Sequence, residues 1–142
     1  MDTKRFALIW GILFLVITAS GVIPGLWQPA GPEHPDLAVE SMHGDALGLF
    51  PVNLLHNIIH ALFGVWGILA ARNWDSAKTY ARAVAIAYAL FMIMGLIPGL
   101  DTTFGLVPLH GNDVWLHLLL FAPAAYFDFV RRDNPSGDTR RT

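Results

Sequence analysis

The 142-residue sequence contains no cysteine. This absence excludes a disulfide, a thiolate metal site and a Cys-x-x-Cys redox motif. Charge is also scarce: 14 % of the residues are charged and 54 % are hydrophobic, whereas about 25 % of a typical soluble domain is charged. So few charges would not cover the surface of a water-soluble domain, but a surface in contact with lipid does not need them. The composition therefore predicts a membrane protein.

Motifs of the common enzyme classes are absent as well. The sequence has no nucleophilic triad, no phosphate-binding glycine loop and no pair of carboxylates at catalytic spacing. Its nine lysines and arginines are too few and too scattered to form a nucleic-acid-binding surface. These absences favour a non-enzymatic protein without a nucleic-acid partner.

Four long apolar stretches dominate what is present. They cover approximately residues 6–23, 51–71, 81–97 and 113–130. Each is close to the ~20 residues with which a helix crosses a hydrocarbon core of ~30 Å. Backbone polar groups in lipid must be paired within the segment, so each stretch is expected to be a helix. We predict an all-α fold, a four-transmembrane-helix bundle in a single domain at 1–132, with a polar tail at 133–142.

The basic residues occur in the segments that would lie on one side of the membrane. They precede the first stretch, separate the second from the third, or follow the fourth: Lys4, Arg5, Arg72, Lys78, Arg82, Arg131, Arg132, Arg140 and Arg141. The long loop at 24–50 and the short loop before the fourth stretch, which we call the outer loops, have none. Cytoplasmic loops carry an excess of Lys and Arg, so both termini are expected in the cytoplasm of a bacterial inner-membrane protein.

An internal duplication is visible in the sequence. Gly-Val-Ile-Pro-Gly-Leu at 21–26 ends the first stretch, and Gly-Leu-Ile-Pro-Gly-Leu at 95–100 ends the third. A histidine then follows nine residues after Pro51 and again nine after Pro108, which predicts two tandem helical hairpins in the same orientation. Lys4 and Arg5 before a short apolar run are also typical of a signal peptide, but the repeat argues that the first stretch is retained.

Polar side chains interrupt the outer halves of the second and fourth stretches. Helix rise places His60 and His117 about 14 Å below the prolines, near the middle of the membrane. His56, which is four residues before His60, corresponds in the repeat to Asp113. His110 lies at the mouth of this region. The predicted polar cluster consists of Asn53, His56, Asn57, His60, Asn112, Asp113 and His117.

Buried polar groups of this kind allow four interpretations. The first, which the sequence favours, is a hydrogen-bond network between helices. The second is a site for zinc or another divalent metal, with His56, His60, Asp113 and His117 as ligands. The third is a haem or chlorophyll with His60 and His117 as axial ligands. The fourth is a polar pathway for protons or a small solute.

The spacing of these residues resembles a known family. Asn53-x-x-His56-Asn57-x-x-His60, Ala70-Ala71-Arg72 and Asn112-Asp113-Val-Trp-Leu-His117 are similar to the bacterial domain-of-unknown-function family 4383. The resemblance covers most of the chain, from the first stretch to about Phe129. It implies a small protein with four spans, in which the Asn, His and Asp positions are characteristic, and it implies no activity. The proline-rich loop at 29–35 departs from the family pattern.

These observations lead to one functional hypothesis and one alternative. The hypothesis is a structural or accessory inner-membrane subunit built around the polar cluster. Its partners would be the lipid bilayer and either other membrane subunits or a second copy of the chain. The alternative is a metal- or haem-binding membrane protein with a redox or transport role.

Overall fold

The computed structural model describes residues 1–131, and the predicted tail at 133–142 lies outside the described residues. Four α-helices account for most of the described chain: α1 (Thr3–Val22), α2 (Leu54–Ala70), α3 (Trp74–Gly95) and α4 (Asp113–Ala125). A π-helical turn at Tyr126–Val130 continues α4. Pro123, which the sequence predicts to distort this helix, lies inside α4 shortly before that turn.

Three helices are long and apolar enough to cross a membrane: α1, α3, and α4 with its π-helical turn. The last covers Asp113–Val130, which are the bounds predicted for the fourth stretch. Helix α2 is apolar but has 17 residues, about 25 Å at the usual helical rise. The structure therefore supports a mostly helical protein with membrane-type helices.

Short polar side chains define where three of the helices begin. The carboxylate of Asp2 and the amide oxygens of Asn53 and Asn73 each accept a hydrogen bond from a backbone N–H three residues later. Such caps satisfy one of the free N–H groups of the first helical turn. Asn53 therefore starts α2 at Leu54, and the predicted start at residue 51 was wrong.

The prediction of an all-α fold was wrong in one respect. The long outer loop contains an antiparallel three-stranded sheet in the order β1 (Trp27–Pro29), β2 (Gly44–Ala46), β3 (Phe50–Val52). In this sheet Asp45 of β2 pairs with Gln28 and with Pro51. Each strand has three residues, too few to show an alternating hydrophobic pattern, so hydropathy could not reveal the sheet.

The third helix begins at Trp74, seven residues before the predicted start at 81, and ends at Gly95 rather than at 97. The prediction failed because the first turns carry charges that hydropathy excludes. The structure gives two of these charges partners on the π-helical turn that follows α4. Lys78 Nζ donates to the Phe127 carbonyl at 2.7 Å, and Arg82 Nε donates to Asp128 at 3.1 Å.

The helices pack as two hairpins, α1 on α2 and α3 on α4, with α3 also in contact with α1 and α2. Both Pro-Gly pairs follow a helix end, and the glycines have positive φ angles of 91° at Gly25 and 88° at Gly99. Glycine adopts this conformation without the steric cost that a side chain would add. The two sites thus reverse the chain in the same way, while the duplication itself stays a prediction.

Candidate metal centre

Three histidines of the predicted polar cluster meet between α2 and α4. His56 and His60 lie one turn apart on α2, and His117 lies in the second turn of α4. Each residue is at most 2 % exposed. One ring nitrogen from each histidine can be chosen so that all three lie within 4.8 Å of one another. The packing of the helices thus collects three nitrogen ligands in one buried place.

Asp113 lies beside two of these histidines. Its Oδ2 is 3.3 Å from His117 Nε2, one helical turn away on α4, and 3.8 Å from His56 Nε2 across the helix interface. The Asp113 side chain is 1 % exposed. An ionised carboxylate in such an apolar place needs a nearby positive charge, because burial without one is costly.

The ring nitrogens of this cluster are poorly satisfied by the protein itself. Within residues 1–131, neither nitrogen of His60 or His117 has a hydrogen-bond partner, and His56 Nδ1 and both oxygens of Asp113 also have none. The contact between His117 and Asp113 at 3.3 Å lacks hydrogen-bond geometry, and the contact between His56 and Asp113 at 3.8 Å is too long for a hydrogen bond. Most buried polar groups in proteins have partners, so these neighbouring unpartnered atoms make the cluster a candidate ligand site.

Aromatic rings enclose the cluster. The His60 ring is nearly parallel to Tyr88, with centroids 6.2 Å apart, and its other neighbours include Phe14 at 5.7 Å. The centroid of the His117 ring lies 5.1 Å from that of Tyr88, in an edge-on contact, and 5.8 Å from that of Phe91, in a tilted contact. These contacts restrict the imidazole orientations and exclude bulk water, which strengthens any electrostatic interaction inside.

One cavity reaches the cluster, with a volume of about 50 Å³. It is lined by His56, Ile59, Tyr88, Phe91, Thr103, Val107, Leu109 and His117. Pockets for organic ligands usually measure about 300–1,000 Å³, so this one suits an ion or a few water molecules. The haem or chlorophyll interpretation, with His60 and His117 as axial ligands, stays a prediction.

The three asparagines of the predicted cluster have other partners. Asn53 Nδ2 donates to the carbonyls of Val39 at 3.0 Å and Leu106 at 2.7 Å, one in each outer loop. Asn57 Nδ2 donates to the Gly21 carbonyl near the end of α1, at 3.0 Å. The exposed Asn112 donates to Leu49 at 3.2 Å. These amides connect backbone segments. Asn53 Oδ1 also accepts from the His56 backbone N–H at 2.9 Å, but this bond does not involve the imidazole ring.

A second group of histidines lies in the outer loops, and the sequence had indicated His110 but not His34 and His43 as its members. An open cavity of about 280 Å³, which we call the outer vestibule, lies in this part of the structure. It is lined by Glu33, His34, Asp45, Leu49, Pro51, His110, Gly111 and Asn112. His34 and His43 could have been noticed as two histidines among four acidic residues, but the sequence alone did not place them near His110.

The vestibule histidines have carboxylate neighbours. His34 Nδ1 accepts a hydrogen bond from the Gly31 N–H at 3.1 Å, so the hydrogen of the neutral ring is on Nε2, which faces Asp45 Oδ2 at 3.0 Å. Glu33 Oε1 is 3.3 Å from the same Nδ1, where the neutral ring has no hydrogen to donate. Of these two carboxylates, Asp45 is therefore the one to which the neutral ring can donate, and the Glu33 charge has no compensation from this ring.

His110 completes the vestibule. Burial lowers its pKa below the ordinary value of 6.5, an effect to which His34 and His43 add and which Asp101 and Asp45 oppose. The ring is therefore neutral at pH 7, and its Nε2 has no hydrogen-bond partner within the described chain. A neutral imidazole offers a lone pair to a cation.

Comparison with known proteins identifies the family. The profile of a family described as "Domain of unknown function (DUF4383)" matches residues 4–130. The chain belongs to the DUF4383 family. This result confirms the resemblance found in the sequence, and both the buried histidines and the outer vestibule lie within the matched residues. No curated protein and no solved structure matches this DUF4383 member significantly.

Proposed function

We propose that this DUF4383 protein is a membrane protein that binds a divalent transition-metal ion, with zinc as the reference ion. The observation that carries the proposal is the convergence of three buried histidines with ring nitrogens within 4.8 Å of one another. His56, His60 and His117 are the proposed ligands. Imidazole nitrogen suits zinc, copper, iron and nickel, and zinc sites with three histidines are common.

The distances are close to those that a metal ion requires. Ligand atoms of a tetrahedral zinc ion, each about 2.0–2.1 Å from the metal, lie roughly 3.3 Å apart. The three histidine nitrogens lie within 4.8 Å, so shifts of about 1 Å would close the set around an ion. A water molecule from the adjoining cavity, or Asp113, would occupy a fourth position.

Asp113 supplies the charge that such an ion needs. Three neutral imidazoles leave a divalent ion with its full charge of two, which is costly in an apolar interior. The Asp113 carboxylate, 3.3 Å from His117 and 3.8 Å from His56, would halve the net charge of the site. The ion in turn would be the counter-charge of the buried carboxylate.

The membrane arrangement is part of the proposal. All four helices would cross the inner membrane of a bacterium, with both termini in the cytoplasm, as the distribution of Lys and Arg indicates. The 17-residue α2 is short for a ~30 Å core, but local thinning of the bilayer accommodates such a mismatch. The metal would then lie in the outer half of the bilayer.

The structural interpretation, an accessory subunit held together by the polar cluster, has less support. A network that stabilises the helix interface should contain hydrogen bonds between α2 and α4. Within the described part of the chain, His60, His117 and Asp113 make none through their side chains. The cluster would then be a cost to stability rather than a contribution, because unpaired buried polar groups are destabilising.

Metal analysis tests the proposal. The purified protein in detergent is dialysed against zinc, and bound metal is measured by mass spectrometry. We expect one ion per chain, and more than about 100-fold weaker binding in His60→Ala, because loss of a ligand should exceed the 10–100-fold effect of an outer-shell change. His43→Ala, which removes a buried histidine 7 % exposed outside the cluster, is the matched control and should bind normally.

Two results would contradict the proposal. One is a wild-type protein that binds no zinc, copper, nickel, iron, cobalt or manganese when each is offered separately. The other is binding that His60→Ala and His43→Ala reduce equally. If His60→Ala does not fold, the wild-type protein still provides a test: at a zinc concentration of 100 Kd its stability should rise by about 2.7 kcal/mol.

A further inference from the structure

The outer vestibule is unusual in its charge. Glu33 and Asp45 line it, together with His34 and His110. No lysine or arginine occurs between residues 6 and 71 or between residues 83 and 130, so no basic side chain from either outer loop offsets these carboxylates. A concave surface with charge of one sign raises the local concentration of counter-ions. The vestibule therefore attracts cations.

The vestibule also lies next to the buried histidines. His110 lines the vestibule, and the preceding Leu109 lines the small cavity at the histidine cluster. Asn112 lines the vestibule, and the following Asp113 is 3.3 Å from His117. Because consecutive Cα atoms are about 3.8 Å apart, the two regions are separated by roughly one layer of residues.

The available volume and the type of ligand both change from the outer vestibule to the inner cavity. The vestibule is open, and its volume of about 280 Å³ accommodates an ion that keeps its hydration shell. Carboxylates and the free nitrogen of His110 bind such an ion loosely. The inner cavity of about 50 Å³ requires most of that water to be lost, and there the imidazoles of His56 and His117 replace it.

We infer that the outer vestibule is the access site through which a divalent metal cation reaches the buried histidines from the outer side of the membrane. Glu33 and Asp45 attract the hydrated ion, and His110 is its first nitrogen ligand. The ion then passes Leu109 and Thr103 to His56 and His117. This inference rests on the proposed metal-binding function and adds the side from which the ion arrives and the residues that receive it.

The rate of metal loading tests this inference. Wild-type protein in nanodiscs is freed of metal with a chelator and mixed rapidly with zinc, and uptake is followed with a zinc indicator. In the double variant Glu33→Gln/Asp45→Asn we expect loading to be three- to tenfold slower at low ionic strength, with unchanged stoichiometry. The amide oxygen that Asp45→Asn introduces can still accept from His34 Nε2, so the loop keeps its hydrogen bond.

Asp36→Asn is the matched control. Asp36 is an acid of the same outer loop that does not line the vestibule, so its removal should change the loading rate by less than twofold. High salt should reduce the difference between wild type and the double variant, because a Debye length of about 3 Å at 1 M screens exposed carboxylates.

A steric block provides a second test, because the chain has no cysteine of its own. Leu49 lines the vestibule and is 53 % exposed. We expect Leu49→Cys, labelled with a bulky maleimide, to load zinc at least tenfold more slowly than the unlabelled variant. Labelled Leu26→Cys, at an exposed outer position that does not line the vestibule, should load at the normal rate.

The outcomes separate the two proposals. If the wild-type protein takes up no metal, the metal-binding function and the access site are both wrong. If it takes up one ion, and neither the charge variants nor the label at position 49 slows loading, only the access site is wrong. Slowed loading in the control variants to the same extent would also contradict the vestibule as the access site.

Discussion

Two groups of three histidines can be compared in this protein. His34, His43 and His110 lie in the outer loops, and His34 and His43 contact carboxylates of the same long loop. His56, His60 and His117 lie on the apolar helices α2 and α4, and the neighbouring Asp113 makes no side-chain hydrogen bond to any of them within the described chain.

The difference shows what position does to identical side chains. In the loops, a carboxylate oxygen lies 3.0 Å from His34 Nε2 and 3.5 Å from His43 Nδ1, although the Nε2 atoms of His43 and His110 have no hydrogen-bond partner within the described chain. Between the helices, aromatic rings such as Tyr88 and Phe91 replace solvent, so the nitrogens keep free lone pairs unless a ligand takes them. In the function proposed above, the outer group attracts an ion and the inner group holds it.

The largest effect on the free energy of unfolding is expected at Asn53, which connects the outer loops to α2. Asn53→Ala removes the cap of α2 and the bonds to Val39 and Leu106. We expect a loss of about 2–4 kcal/mol in the free energy of unfolding, from the lost cap and from two partly buried backbone carbonyls that lose their partner. Denaturant unfolding in detergent measures it.

Asn112→Ala is the comparison for that variant. Asn112 is exposed and makes one side-chain bond, to Leu49, so its removal should cost less than about 0.5 kcal/mol, as is usual for surface changes. Equal effects of the two substitutions would contradict the view that Asn53 connects the outer loops to the helix that carries the inner histidines.

A second prediction concerns the inner group alone. Asp113→Asn keeps the size of the side chain and removes its charge, so zinc affinity should fall about 10–100-fold. The metal-free protein should be as stable as wild type or more stable, because a buried charge has been removed. Competition with a chelator and unfolding without metal measure the two quantities.

The hydrogen-bond-network interpretation predicts the opposite for the metal-free protein. If Asp113 held α2 and α4 together through its charge, Asp113→Asn would destabilise the metal-free protein and leave metal affinity unaffected. Asp36→Asn, an acid of the long outer loop that does not line the vestibule, is the matched control and should not change the equilibrium affinity for zinc.

The smallest effect is expected in the outer group and depends on pH. Since burial lowers the pKa of His110, the unfolded chain binds a proton there more readily than the folded chain. The contribution of His110 to the free energy of unfolding is therefore fully present above pH 6.5 and decreases as the pH falls below that value. His110→Gln should reduce the difference between unfolding free energies at about pH 7 and about pH 5, and an unchanged difference would contradict this assignment.

The sequence predicted the helical elements well where apolar length and capping agree. The fourth stretch, predicted at 113–130, is helical at Asp113–Val130. The start of α3 was missed because Lys78 and Arg82 look like loop residues until their partners Phe127 and Asp128 are known. The sheet was missed because three-residue strands depend on pairing between distant segments rather than on a local pattern.

For the site, helical spacing indicated that His56 and His60 share a face, and the repeat indicated an equivalent depth for His117. Spacing could not show that Asn53 and Asn57 have backbone partners, since those carbonyls belong to the outer loops and to α1. Spacing also could not show that His34 and His110, which lie in different loops, are neighbours. Their ring centroids are 6.3 Å apart.

By itself, the sequence determined the membrane-type composition, the one-sided distribution of basic residues and most helix positions, because these depend on local hydropathy, charge and capping. Only the tertiary structure decided which polar residues converge. The packing of the two helical hairpins and the folding of the outer loops fix distances between residues more than 50 positions apart, and no local property of the chain encodes such a distance.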